Sequence, residues 1–168
     1  MRVGTMLVAV SALGACLVQA SPDTQWQTYR IKEAGATFDM PAQPKPIEKT
    51  KERPINAFAL RTADGVLMAG FSEAMPFQTD KGGAQKTLKE FEQGMLSSAK
   101  LQVVGTREVE VQGRMGRILV LQRGEEEFWR VIAVVNGDRI VFQMYIGTKA
   151  GLSSTTTAKF FNSLKFEK

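Results

Sequence analysis

Apolar residues recur along this chain with two periods, two and three-to-four, and the switches between them mark its elements. Residues 26–31 and 37–40 read as two short strands around a turn at Gly35. Pro41, Pro44 and Pro46 then mark an irregular or edge segment, because proline cannot donate to an inner ladder. Residues 55–62 and 66–73 form a hairpin across Ala63-Asp64-Gly65, where Asp-Gly supplies the positive φ of a tight turn. The helical period is clearest over 84–99. Ala84, Leu88, Phe91, Met95 and Ala99 share one face there, and Thr79 or Asp80 is placed to cap the start. Strands follow at 102–111, 114–123, 127–136 and 139–146, the last three an antiparallel meander whose sharpest turn signal is Asn136-Gly137. Val109 and Val111 share one face of the first of them. A final helix at about 154–164 has Ser153, Ser154 or Thr155 as its cap and turns Ala158, Phe161 and Leu164 to the core.

Two of these strands are apolar at consecutive positions, Ile118-Leu119-Val120-Leu121 and Val131-Ile132-Ala133-Val134-Val135. A strand apolar on both faces is covered on both faces. The sheet is therefore expected to lie between two layers. The order strands, helix, strands, helix favours an α+β class with a central antiparallel sheet over a parallel, doubly wound one. Trp129 alternates with Val131, Ala133 and Val135 and is expected in the core.

Residues 1–20 have a different character. Met1 and Arg2 give a positive start, residues 3–18 carry no charge, and Val18-Gln19-Ala20 ends the run on residues a leader peptidase reads. This is an export signal, too short for a stable membrane span, with cleavage expected between Ala20 and Ser21. Residues 21–25 are then a short polar lead-in, and 26–168 a single α+β domain. Leu13-Gly14-Ala15-Cys16 also fits a lipobox, in which Cys16 is lipidated and becomes the mature N-terminus. Two locations follow: periplasmic or secreted after release at Ala20, or anchored to the outer membrane as a lipoprotein through Cys16. The membrane is a partner only on the second route.

Composition removes several chemistries. The chain has no histidine and one cysteine. There is no imidazole base, no Ser-His-Asp triad and no His-ligated zinc. Cleavage after Ala20 also removes thiol nucleophiles and disulfides. The formal charge of +5 is interspersed, as in Lys49-Thr50-Lys51-Glu52-Arg53, and lacks the basic stripe with interleaved aromatics of a nucleic-acid reader. Gly82-Gly83-Ala84-Gln85-Lys86-Thr87 lacks the glycine that a phosphate loop places before its Lys-Thr, so it reads as a helix entrance. Glu125-Glu126-Glu127 reads as a solvated turn, not a calcium loop, and the scattered methionines read as core filling. No catalytic residue, cofactor or metal ligand is expected. Arg114, Arg117, Arg123, Arg130 and Arg139 lie on or near the meander. Arg114, Arg117 and Arg123 are the candidate partner-binding residues, although arginines spread over strand ends are also what a solvated sheet carries.

Several stretches resemble a known family. Trp26 with Tyr29, followed by Ala36-Thr37-Phe38-Asp39-Met40-Pro41, is similar to the opening of exported domains of the PsbP-like (DcrB-like) family. Gly113-Arg114-Met115-Gly116-Arg117 resembles a strand start of that family, and residues 130–135 with Arg139-Ile140-Val141-Phe142 resemble its central hairpin. Phe160-Phe161-Asn162-Ser163-Leu164-Lys165-Phe166 resembles its closing helix and strand. The resemblance runs from about Trp26 to Glu167 and implies an α-β-α sandwich around an antiparallel sheet. It also implies a non-enzymatic envelope accessory protein, an assembly factor or immunity-type inhibitor, whose partner is another envelope or secreted protein and not a nucleic acid. The family takes its name from an extrinsic photosystem II subunit, whose metal-binding histidines have no counterpart in this histidine-free sequence. The alternative function is a small-ligand or metal-binding envelope domain.

Overall fold

A computed structural model of the protein describes residues 25–49, 55–75 and 80–167. Strands β1 (Gln27–Ile31) and β2 (Ala36–Met40) pair antiparallel around a 3-10 turn that ends at Gly35, which has a φ of 52°. β3 (Lys45–Ile47) is an edge strand and contains Pro46, where its missing N–H is tolerated. β4 (Ile55–Arg61) and β5 (Gly65–Ser72) form the expected hairpin. Helix α1 (Lys81–Ala99) begins three residues before the apolar stripe, because the Asp80 carboxylate accepts the Gly83 N–H at 2.7 Å.

Next come β6 (Gln102–Val111), β7 (Arg114–Arg123), β8 (Glu127–Asn136) and β9 (Arg139–Gly147). The chain closes with α2 (Thr155–Asn162) and β10 (Lys165–Phe166). Ser154 caps α2, its Oγ accepting the Thr157 N–H at 3.2 Å. At the β8–β9 turn, Asn136 pairs with Arg139 and Gly137 has a φ of 61°. The loop is Gly137-Asp138, as the expected strand ends place it, with the glycine first in the II′ pattern.

Seven strands form one antiparallel sheet in the order β3-β4-β5-β9-β8-β7-β6, and β1-β2-β10 form a second. One face of the large sheet is covered by α1. Ala84, Leu88, Phe91, Met95 and Ala99 are buried there against Leu119, Leu121, Trp129, Val131, Phe142 and Met144. The other face is covered by the small sheet and α2. Phe38, Met40, Phe160, Phe161 and Phe166 are buried there with Ile132, Val134, Val141 and Tyr145. Both faces are thus covered, as the continuous apolar runs required.

The outer layers depart from a simple α-β-α sandwich. The sheet is mostly strand material with one long helix on one side and, on the other, a three-stranded sheet beside a short helix. Lengths explain the asymmetry. The 19 residues of α1 reach about 28 Å, a long enough stripe to seat Ala84, Leu88, Phe91, Met95 and Ala99 on the sheet. The 8 residues of α2 reach only about 12 Å, and β1, β2 and β10 cover the rest. In α2 the inward positions are Thr157, Phe160, Phe161 and, just beyond, Leu164, while Ala158 is only half-buried. The apolar stripe is therefore rotated from the expected one, because the adjacent Phe160 and Phe161 both turn inward.

One tight junction ties the β4–β5 turn to the end of β9. Tyr145 is fully buried, and its hydroxyl donates to the Asp64 carbonyl at 2.6 Å, 3.1 Å from the Thr148 carbonyl. Gly151 packs directly against that hydroxyl. A methyl there would overlap it and stand 2.7 Å from the Asp64 carbonyl oxygen. Gly151→Ala is expected to cost roughly 1–3 kcal/mol through overpacking, read from the urea midpoint. Tyr145→Phe in the same chain should recover part of the loss by removing the hydroxyl. An unchanged midpoint for Gly151→Ala would contradict the packing.

Candidate functional site

Ala20, Ser21 and Cys16 lie outside the described residues, so the processing expectations have no structural counterpart. The three arginines expected to form one surface do not share one. Alternation along β7 places Arg114 on the α2 side of the sheet and Arg117 and Arg123 on the α1 side.

Arg114 ties the β6–β7 turn to the end of β8 and to the residues at β10. Its Nε donates to Asn136 Oδ1 at 2.6 Å, and its terminal nitrogens donate to the Gln112 and Glu167 carbonyls at 3.1 and 3.2 Å. Its guanidinium also lies 4.7 Å from the centre of the Phe166 ring. Arg117 holds α1 to the sheet, with Nε 2.6 Å from Glu92 Oε2 and side chains 15% and 12% exposed. Arg123 donates to Glu127 at 2.6 Å, and Glu127 also accepts from the Trp129 indole. Glu127 is therefore spent on structure, while Glu125 and Glu126 stay exposed in the turn. Arg139 donates to the Ser72 carbonyl at 3.1 Å and stands over the Phe71 ring. These arginines have intramolecular work, and for Arg117 burial removes it from a partner's reach.

An open groove of about 640 Å³ lies between the start of α1 and the ends of the β6–β7 and β8–β9 hairpins. Glu108, Glu110, Arg114, Met115 and Asn136 line it. Arg114 and Asn136 are bound to each other, Asn136 also donates to the Ala34 carbonyl at 2.7 Å, and Glu108 accepts from Gln85. Few polar groups are left to converge on a ligand. Among the described residues no group of three or more carboxylates or cysteines is placed to hold a metal ion.

The unspent surface is the β6 side of the sheet. β6 is ten residues long and ends the strand order, so one of its sides is unpaired among the described residues. Val103 and Val104 are the large apolar side chains exposed there, at 43% and 57%. The β6–β7 hairpin closes on Val111 opposite Arg114, with Gln112 and Gly113 both at positive φ. Residues flanking a two-residue loop exchange both hydrogen bonds, and the pattern alternates from there. The N–H and C=O groups of Thr106, Glu108 and Glu110 therefore point outward, away from β7. The register shifts between Val103 and Gly105, which turns the first residues of the strand and leaves 105–111 regular.

On the α2 side of this edge lie two arginines whose side chains make no hydrogen bond or ion pair among the described residues, Arg107 and Arg130. Arg107 pairs across to Ile118 and Arg130 to Val120, so both stand on one face with Ile118 and Val120 between them. The Arg130 guanidinium lies 4.5 Å from the centre of the Phe161 ring. Burial, and then the neighbouring Arg107 charge, push the Arg130 guanidinium below its usual range.

This arrangement of layers and strand order is a PsbP-like fold. The chain superposes on the solution structure of cyanobacterial PsbP (CyanoP) from Synechocystis sp. PCC 6803 with a TM-score of 0.66, at 13% identity, over 92% of this chain and 99% of that one. A protein of Bacteroides thetaiotaomicron VPI-5482 aligns at a TM-score of 0.47 and 13% identity, over 84% of this chain and 48% of that one. Protein PA94 of Pseudomonas aeruginosa aligns at 0.43 and 16%, over 76% of this chain and 85% of that one. No protein-family model matches the chain, and no curated protein is detectably similar to it in sequence. At such identities the likeness is one of fold. Among the described residues no helix is long and apolar enough to cross a membrane.

Proposed function

We propose that this chain is a non-enzymatic accessory protein of the cell envelope that works by binding another protein along β6. The observation that carries the reading is the long open edge, with outward backbone groups at Thr106, Glu108 and Glu110 and exposed Val103 and Val104. An unpaired edge of this length is a template for an added strand, whose main chain supplies affinity and whose alternate side chains supply specificity. The PsbP-like fold supports the reading as fold analogy only. Export through residues 1–20, with Ser21 first in the mature chain, places the protein where such a partner is met; lipidation at Cys16 is the rival route.

Thr106→Pro tests this. Proline there removes an N–H that faces away from β7, so the sheet keeps its own ladder while an incoming strand loses a bond and meets the ring. Affinity capture from envelope extracts should enrich a discrete protein with the unaltered chain. The Thr106→Pro chain should lose it, at a nearly unchanged melting temperature. Equal capture by both chains would contradict the edge as the binding surface.

A further inference from the structure

We infer that the face carrying Arg107 and Arg130 is a carboxylate-binding site, and that the strand added at β6 is an acidic segment of the partner. The inference rests on the edge reading above and names the chemistry of what binds there. Three observations bear on it. First, Arg30, Arg117 and Arg123 each reach a glutamate, whereas Arg107 and Arg130 reach none among the described residues. Second, the two cations stand on a single face, on the strands either side of β7. The cross-strand register puts Arg107 against Ile118 and Arg130 against Val120, the next position of β7 on the same side. Third, Arg130 is half-buried, with its guanidinium stacked over Phe161, so it is held in place and its hydration is reduced.

Two guanidinium groups on one face repel each other, and a carboxylate bound at Arg107 relieves the repulsion. The planar fork of arginine matches a carboxylate with two parallel N–H···O bonds. The site is also partly apolar, because Ile118 and Val120 form its half-buried floor. Water competes less there than on an open surface, which strengthens a charge-assisted bond. Geometry links the site to the edge. Arg107 belongs to β6 itself, so a strand laid against β6 carries its own side chains past Arg107 on the same face. An Asp or Glu in that register meets Arg107 directly, while Arg130, two strands further in, adds its charge at longer range.

The test uses a fluorescein-labelled peptide, Glu-Val-Glu-Thr-Glu-Val-Glu-Thr, read by anisotropy against the whole mature chain. A twin peptide carries Gln for every Glu. The chain should bind the Glu peptide at least tenfold more tightly than the Gln peptide, with affinity falling as salt rises. Arg107→Gln, at an exposed position, should abolish most of that preference without moving the melting temperature. Arg107→Gln with Arg130→Gln should abolish the rest. Equal binding of the two peptides, or a preference that survives the double variant, overturns the inference. If Thr106→Pro alone abolishes binding of both peptides while Arg107→Gln changes nothing, the edge reading stands and this inference fails. If the preference survives Thr106→Pro and is lost with the arginines, the carboxylate site stands and the strand mode fails. Binding to phosphatidylglycerol vesicles without binding to the Glu peptide would assign the cations to a membrane surface and overturn the inference.

Discussion

Arg117→Ala is expected to destabilise the protein by about 3–5 kcal/mol, the range for breaking a buried ion pair by removing one partner. The reason is what stays behind. Glu92 is 9% exposed and sits on the sheet-facing side of α1, and Arg117 Nε is its 2.6 Å partner. Glu108 lies 4.0 Å from the same guanidinium but is half-exposed and contributes little. Without Arg117, the buried Glu92 carboxylate loses its 2.6 Å partner. The informative companion is Glu92→Leu with Arg117→Met. Replacing the whole pair by apolar groups of similar size should be nearly neutral or stabilising. Urea midpoints of the three chains decide the matter. A single variant that unfolds at the midpoint of the unaltered chain would mean that the pair is open to water.

Phe91→Ala is the second large effect, at roughly 3–5 kcal/mol. Phe91 is 6% exposed, and its ring centre lies 6.0 Å from that of Phe142 on β9. The loss should be this large because α1 leans on its docking. Gly94 lies in its interior and costs about 1 kcal/mol relative to alanine, so the helix has little stability of its own. Far-UV circular dichroism during unfolding should show α1 melting with the sheet in one transition. A loss below about 1 kcal/mol would place Phe91 outside the core. Arg117→Ala and Phe91→Ala act on the same docked helix, so the double variant should lose less than the sum of the two.

Much of the fold was legible because periodicity reports burial. β6, β7 and β8 begin and end where alternation and turn residues put them. The runs at 118–121 and 131–135 told correctly of cover on both faces. The nature of the second cover was not legible. A short amphipathic helix and a strand pair each announce an apolar face, but neither states how broad a sheet it has to cover. The inward turn of Phe160 escaped for a related reason, since two adjacent aromatics on a short helix leave its stripe ambiguous by about one position.

The candidate site was less legible than the fold. Arginines can be counted in a sequence, but their partners cannot. Arg114, Arg117 and Arg123 stood out by number in the meander, and each proved tied to a carbonyl, amide or carboxylate from another element. Arg107 was passed over because β6 read as an ordinary half-exposed strand. One signal was available. Val109 and Val111 share a face, and stepping back two residues puts Arg107 on it, a charge in line with an apolar stripe. That β6 forms an edge could not be seen at all, because strand order is a property of the sheet. The sign of the Arg130 ionisation shift follows from burial and a neighbouring cation, both long-range facts.

Site-specific photo-crosslinking in cells producing the protein tests the central claim most directly. A benzophenone side chain placed at Val104, exposed on β6, should give one discrete protein adduct. The same group placed at Gln93, exposed on α1, should not give it, and adding Thr106→Pro should erase it from the Val104 chain. The absence of any adduct at Val104, or the same adduct from Gln93 and from the Thr106→Pro chain, would contradict a partner bound along the β6 edge.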